Sequence, residues 1–301
     1  MSLSAAGTMR PSPEREHWWA TGASVQGQQH LRGSMPNQDS SGCQVGPAGR
    51  YAVGAVADGH GHAIGIRARQ GSQLAVDVAL REGAALGERL VTSDGPADVA
   101  TESLRALPRL LAESWARSVL DHLAANPIDR SELTARDGLA APDPETIERN
   151  PLLAYGTTLL LAVCAAGLVA LAQIGDGAIL TVAPDESVTS PVPGDDRLVG
   201  SQTTSLASAT ASGEFRCALV RMPLLVMLAT DGYVNSFATE DGFAEAARDI
   251  VMMARVEGLE VVERSLPDWL ASTSREGSGD DASLALLVDR EILGSGGKEE
   301  T

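Results

Sequence analysis

Residues 157–182 read TTLLLAVCAAGLVALAQIGDGAILTV. Three apolar runs, TTLLLAVCA, LVALAQI and AILTV, are separated by two short breaks, Ala166-Gly167 and Gly175-Asp176-Gly177. Short runs rich in Val, Leu and Thr, bounded by glycine, predict strands. Breaks of this length leave no room for a crossover helix, so the strands are expected to pair antiparallel. Regular strand–helix alternation is therefore absent, and the stretch points to an α+β fold.

Outward from it, TGASVQG (21–27), YAVGAVA (51–57), FRCALV (215–220), LLVMLAT (224–230) and ASLALLV (282–288) also read as strands. Helical spacing of apolar residues covers roughly 63–83, 96–125, 241–256 and 259–273. The order is strands, two long helices, more strands, two helices and a last strand, which places helices outside one or two antiparallel sheets. Trp18 and Trp19 read as packing residues at the first strand. Polar, Pro-containing residues 1–16 read as a disordered lead-in, 17–292 as one domain and 293–301 as a flexible tail. Two polar patches, 126–150 and 184–214, read as surface insertions. Within the second, GDDRLVGSQTTSLASATASG is expected to be a Ser/Thr-rich linker, with a substrate loop as the alternative.

Composition narrows the function classes. Apolar residues make up 44% of the 301 residues but aromatics only 3%, so the core is built from Ala, Val and Leu. A net charge of −17 argues against nucleic acid, whose phosphates need Lys and Arg, and against anionic membrane surfaces. Cys43, Cys164 and Cys217 are too scattered for a disulfide framework or a zinc site. With no long apolar span and no signal-peptide layout, the expected location is the cytoplasm.

Acids then recur at the ends of the apolar runs: Asp39, Asp58, Asp176, Asp231 and the pair Asp280-Asp281, most with glycine beside them. Aspartate has little strand propensity. A single such acid is an ordinary turn residue, but five recurrences suggest that the strand ends share one edge. Converging carboxylates need a countercharge, and hard divalent ions with oxygen ligands supply it. Glycines would let backbone carbonyls approach the same ions. An oxygen-only cluster with room for water suits hydrolysis at phosphorus.

In order, NQD (37–39), DGHGH (58–62), GTT (156–158), GDG (175–177), ATDG (229–232) and GDDAS (279–283) resemble the motifs of the 2C-type metal-dependent protein phosphatases, most closely a bacterial branch. The resemblance implies a four-layer α-β-β-α sandwich of two antiparallel sheets flanked by helices. It implies hydrolysis of phosphoserine and phosphothreonine by a water bridging two Mn²⁺ or Mg²⁺ ions, with a third ion in some bacterial members. By position, Asp58 would bridge the ions and the Gly59 carbonyl would add a ligand. Asp231 and Asp280 would complete the ligands of the second ion, Asp39 would hold metal-bound water and Asp176 would take the third ion. His60 would protonate the leaving alcohol, as an imidazole near pH 7 can, while His62 reads as a supporting or surface residue. The implied partner is a phosphoprotein, the product of a serine/threonine kinase.

The chain also departs from the family pattern. Ser34 stands where members often carry a phosphate-gripping arginine, and Arg32 and His30 are the candidates to replace it. Asp281 stands where asparagine is usual; Asp280, directly after Gly279, is the favoured ligand of the pair. The 176–231 segment is short for members with a full flap over the site. Three other readings compete: a phosphatase of small phosphomonoesters, a non-catalytic phosphoprotein binder and a calcium-binding module. The last lacks any twelve-residue EF-hand loop. A cysteine phosphatase is excluded, because no CxxxxxR loop surrounds Cys43.

Overall fold

The computed structural model of the chain describes residues 17–33, 35–134, 139–195 and 203–295. Ten strands are found among them: β1 (Trp18–Val25), β2 (Ser40–Val45), β3 (Tyr51–Ala57), β4 (Leu159–Ala165), β5 (Leu168–Ile174), β6 (Ala178–Val182), β7 (Val188–Thr189), β8 (Arg216–Arg221), β9 (Leu225–Ala229) and β10 (Ala282–Asp289). They form two antiparallel five-stranded sheets, ordered β1-β10-β9-β6-β7 and β2-β3-β4-β5-β8. The helices Glu240–Val256 and Leu259–Glu276 pack on the outer face of the first sheet, and Ala68–Thr92 and Pro96–Ala125 on that of the second. The result is the α-β-β-α sandwich.

Both faces of each sheet are therefore covered. Between the sheets lie Ala52, Val56, Leu160, Ala162, Leu171, Val226, Leu228, Ala285 and Leu287. The intervening residues Val53, Ala55, Leu161, Val163, Ala170 and Ala172 face the Ala68–Thr92 and Pro96–Ala125 helices. Antiparallel strands with one wet face alternate polar and apolar residues, but strands buried on both faces read as unbroken apolar runs. That is why 51–57 and 157–182 carry no alternation.

The 157–182 stretch folds partly as expected. β4 and β5 form a hairpin, with Leu159 opposite Ile174 and Ala165 opposite Leu168. β6 does not continue that sheet: it crosses at Gly175-Asp176-Gly177 and pairs with β9 and β7 in the other one. The tight turn is what both a hairpin and a sheet switch look like in sequence. Gly175 has φ +105°, a left-handed conformation that suits glycine and redirects the chain here.

Other expectations need correction. SSGCQV (β2) is a strand although it is polar, because it lies at an edge and pairs only with β3. The first long helix begins at Ala68, not near 63, and runs to Thr92. The chain before it turns to hand the Arg67 N–H to the Ala154 carbonyl at 2.7 Å. The patch 126–150, of which residues 135–138 lie outside the described residues, is largely exposed but anchored to the body of the fold. Glu132 forms paired hydrogen bonds of 2.9 Å with the buried guanidinium of Arg67, and Ile128, Leu133 and Ile147 join the helix-side core. In the patch 184–214, residues 203–214 are no surface linker: Leu206, Ala207 and Ala211 are buried in the same core. Residues 196–202 of that patch lie outside the described residues. Trp18 and Trp19 are buried on β1, as their reading required. Among the described residues, no helix is long and apolar enough to cross a membrane.

Candidate metal centre

Strand register brings the acids together. Ser40 lies opposite Ala57, Leu159 opposite Ile174 and Leu284 opposite Ala229. The start of β2, the end of β3, the end of β5, the end of β9 and the start of β10 therefore meet at one rim. Asp39, Asp58, Asp176, Asp231 and Asp280 are the residues adjoining those ends. The first three hang from one sheet and the last two from the other.

Carboxylate oxygens of Asp58, Asp176 and Asp231 all lie within 4.8 Å of one another. His30, Asp280 and Asp281 form a second such group beside them. Asp39 is buried, and its Oδ2 accepts from the Thr230 hydroxyl at 2.7 Å. The titration of the cluster shows what the packing costs. Burial, with repulsion from Asp281 and Asp231, pushes Asp39 up to about 8, against the Thr230 hydrogen bond. Burial and then the charge of Asp39 push Asp58 well above the usual carboxylate range. Burial, Asp176 and Asp280 push Asp231 up to about 6. Such a set is stable in its ionised form only beside a cation. All-oxygen donors at this density fit Mg²⁺ or Mn²⁺.

The backbone around the acids is held firmly. The Asp58 N–H donates to the Thr158 hydroxyl at 2.9 Å, while Thr157 Oγ1 and the Thr158 N–H both donate to the Asp58 carbonyl at 2.8 Å. The GTT motif is thus the clamp on Asp58. Gly59 is needed for a different reason. A Cβ there would lie 2.6 Å from the Ala68 carbonyl oxygen and 2.7 Å from that of Gln38. Asp176 is held from behind: Thr204 Oγ1 accepts the Gly175 N–H at 2.8 Å, and the Arg216 guanidinium donates to the Gly175 carbonyl at 2.6 Å. Thr204 lies in the patch read as a linker. Its signal was there only as one more Thr in a Ser/Thr-rich run.

The two adjacent acids separate clearly. Asp281 is 4% exposed and accepts three donors: the Gly27 N–H at 2.8 Å, the Gln38 N–H at 2.6 Å and His30 Nδ1 at 2.7 Å. Its oxygens are occupied in tying the 27–38 segment to β10. The Asp280 side chain is half exposed and borders the open cavity. Of the pair, only Asp280 is among the described residues lining the cavity.

The cavity measures about 770 Å³ and is lined by Asp58, Asp280, the 59–62 turn, His30, Gly156 and residues 203–205. His60 Nε2 is buried with no hydrogen-bond partner. Its ring stacks on that of His62 at 5.7 Å between centroids. Burial, and then His62, push His60 down to about 4, so the expected titration near pH 7 is not that of the metal-free protein. Of the two candidates for the phosphate-gripping position, His30 lines the cavity and Arg32 does not; Arg32 is exposed on the short helix Gln28–Gly33. Ser34 itself lies outside the described residues. Cys43 is no nucleophile, since burial pushes its thiol up to about 12.

A sandwich with an all-oxygen acidic cluster at one rim, open to a cavity, defines a metal-dependent hydrolase. The sequence matches the family model described as Protein phosphatase 2C over residues 26–271, and the chain belongs to that family. It is a serine/threonine protein phosphatase by that membership. No curated protein matches the sequence. Solved structures share the fold at low identity. A bacterial serine phosphatase superposes with TM-score 0.58 at 14% identity, covering 91% of this chain and 100% of that one. Stp1 from Staphylococcus aureus gives 0.55 at 12%, covering 93% and 98%. The catalytic domain of PstP, in complex with two manganese ions, gives 0.53 at 17%, covering 90% and 97%.

Proposed function

We propose that the chain hydrolyses phosphoserine and phosphothreonine in proteins modified by a serine/threonine kinase, in the cytoplasm, with Mn²⁺ or Mg²⁺. The observation that carries this reading is the approach of Asp58, Asp176 and Asp231 within 4.8 Å. Asp58, the Gly59 carbonyl, Asp231 and Asp280 would hold two ions, Asp39 would support them through water and Asp176 would add a third. When bound, such ions supply Lewis-acid charge and activate water for in-line attack on phosphorus. The protein's own groups do the rest. Thr157 and Thr158 orient Asp58 through its backbone. His30, held by its bond to Asp281, lines the cavity and would meet the entering phosphate. His60 Nε2 is free to hand a proton to the leaving oxygen. A phosphate dianion beside that ring favours its protonated form.

The test is hydrolysis of a phosphothreonine peptide and of p-nitrophenyl phosphate by metal-stripped protein, with each ion added back. Turnover that returns with metal and is lost in Asp58→Asn and Asp231→Asn supports the reading. A strong preference for the aryl phosphate would make it a small-molecule phosphatase. Folded, metal-loaded protein that turns over neither would reduce it to a binding module.

A further inference from the structure

A second cavity, of about 350 Å³, opens beside the first and shares Gln38, Gly61 and His62 with it. Its other walls include Met35, Pro36 and Arg69. Among the described residues lining either cavity, Arg69 is the one arginine or lysine. It is exposed, and no carboxylate of the described residues pairs with it. Arg67, two residues earlier, is the opposite case: buried, and engaged by Glu132, the Tyr155 hydroxyl and two backbone carbonyls. Arg67 is structural, whereas Arg69 has no carboxylate partner among the described residues.

The wall between the cavities is fixed to the metal centre. The Gln38 N–H donates to Asp281, and its carbonyl accepts from the Gly59 N–H at 3.2 Å and the Ser72 hydroxyl at 2.5 Å. The Gln38 amide does not share that order: Oε1 is buried with no hydrogen-bond partner. So the space next to the phosphate chamber offers a guanidinium that no carboxylate of the described residues pairs with, and Met35, Pro36, Ile66 and Leu139 lie beside it. In a protein with 40 acidic and 23 basic residues, an arginine that is the one basic side chain of its kind among the described lining residues is a local exception to the surrounding charge.

We propose that this second cavity is a peptide subsite: with the phosphorylated residue in the first cavity, Arg69 binds the carboxylate of an acidic side chain nearby on the same peptide. The inference rests on the phosphatase reading and adds a substrate class to it, phosphoproteins with acidic residues flanking the phosphorylated one. A guanidinium matches a carboxylate bidentately, which a histidine cannot do.

Three phosphothreonine peptides, with acidic, alanine or lysine flanks, test it on the metal-loaded enzyme. We expect the acidic peptide to exceed the alanine one about tenfold in kcat/KM at low salt, a ratio typical of one added charge-assisted contact. Arg69→Ala brings the ratio to about one, Arg69→Glu turns preference toward the lysine peptide, and Arg89→Ala, on the same helix but away from both cavities, keeps it. Each ratio is internal to one protein, so differences in folding or metal loading cancel. A ratio near one in the unaltered enzyme, or a preference that survives Arg69→Ala, overturns the subsite. If no peptide is turned over, the phosphatase reading fails separately, and fluorescence anisotropy of the same labelled peptides decides the subsite. Tighter binding of the acidic peptide that vanishes in Arg69→Ala upholds it, and equal binding overturns it.

Discussion

Two turns of the first sheet's strand β6 carry an aspartate, and they have opposite fates. Gly175-Asp176-Gly177 enters the strand and Pro184-Asp185-Glu186 leaves it. Asp185 is exposed and, among the described residues, accepts from the Ser187 N–H and hydroxyl two positions on, which hold its carboxyl below the usual range. Asp176 stands within 4.8 Å of two other acids and contributes to raising Asp231. Local sequence makes both of them turn residues. Only the rim on which the turn lies separates a structural acid from a candidate ligand.

The largest effect should come from breaking the crowded rim at its centre. Asp58→Asn should lower turnover by at least about a hundredfold, since even groups that merely support metal ligands are worth about ten to a hundredfold. Isothermal titration with Mn²⁺ should show affinity falling with it. Thr230→Val comes next: it removes the hydroxyl that donates to Asp39 and accepts the Ser283 N–H at 2.9 Å. We expect about a tenfold loss of metal affinity, read in the same titration, with the fold intact by circular dichroism.

Acidity gives a smaller effect that is visible without turnover. Asp39 and Asp231 have folded-state values of about 8 and about 6, above those of an unfolded chain. The folded, metal-free protein therefore binds more protons than the unfolded one, and its stability falls as pH rises from about 4 toward about 8. The melting temperature of stripped protein should drop by several degrees between pH 5 and pH 8, and saturating Mn²⁺ should remove the drop. A flat profile would mean that the acids do not crowd one another. The smallest effect sharpens the comparison between the turns. Asp185→Ala should leave turnover unchanged and move the melting temperature by no more than about 1 °C, whereas Asp176→Asn should cost about tenfold in turnover.

Legibility followed the same division. β3, β5 and β6 were readable to the residue because each is a short apolar run closed by glycine or aspartate. β2 was not, since an edge strand needs no apolar face and Ser40, Ser41 and Gln44 give it no period. The first long helix was read as ending near Gly83, but the chain stays helical because Gly83 lies against Val53 and Val163 and brings helix and sheet close. The acids Asp39, Asp58, Asp176, Asp231 and Asp280 stood out by their position after or before apolar runs. Thr204, Arg216 and Gln38 did not, because a hydroxyl, a guanidinium or an amide has no signature until the fold says which backbone group it meets.

The sequence by itself determined the order of the strands and helices, the apolar bulk of a core with few aromatics and the identity of the acids that end the strands. These are local properties, set by side-chain hydrophobicity and by turn chemistry. Only the tertiary structure decided that the chain leaves one sheet at Gly175-Asp176-Gly177 and enters the other. It likewise decided that Asp281 is consumed by Gly27, Gln38 and His30 while Asp280 stays half exposed at the cavity. Those choices depend on pairings between residues up to 254 positions apart. Strand partners, burial and the charges that face one another across a rim are fixed by the whole packing, and no window of neighbouring residues contains them.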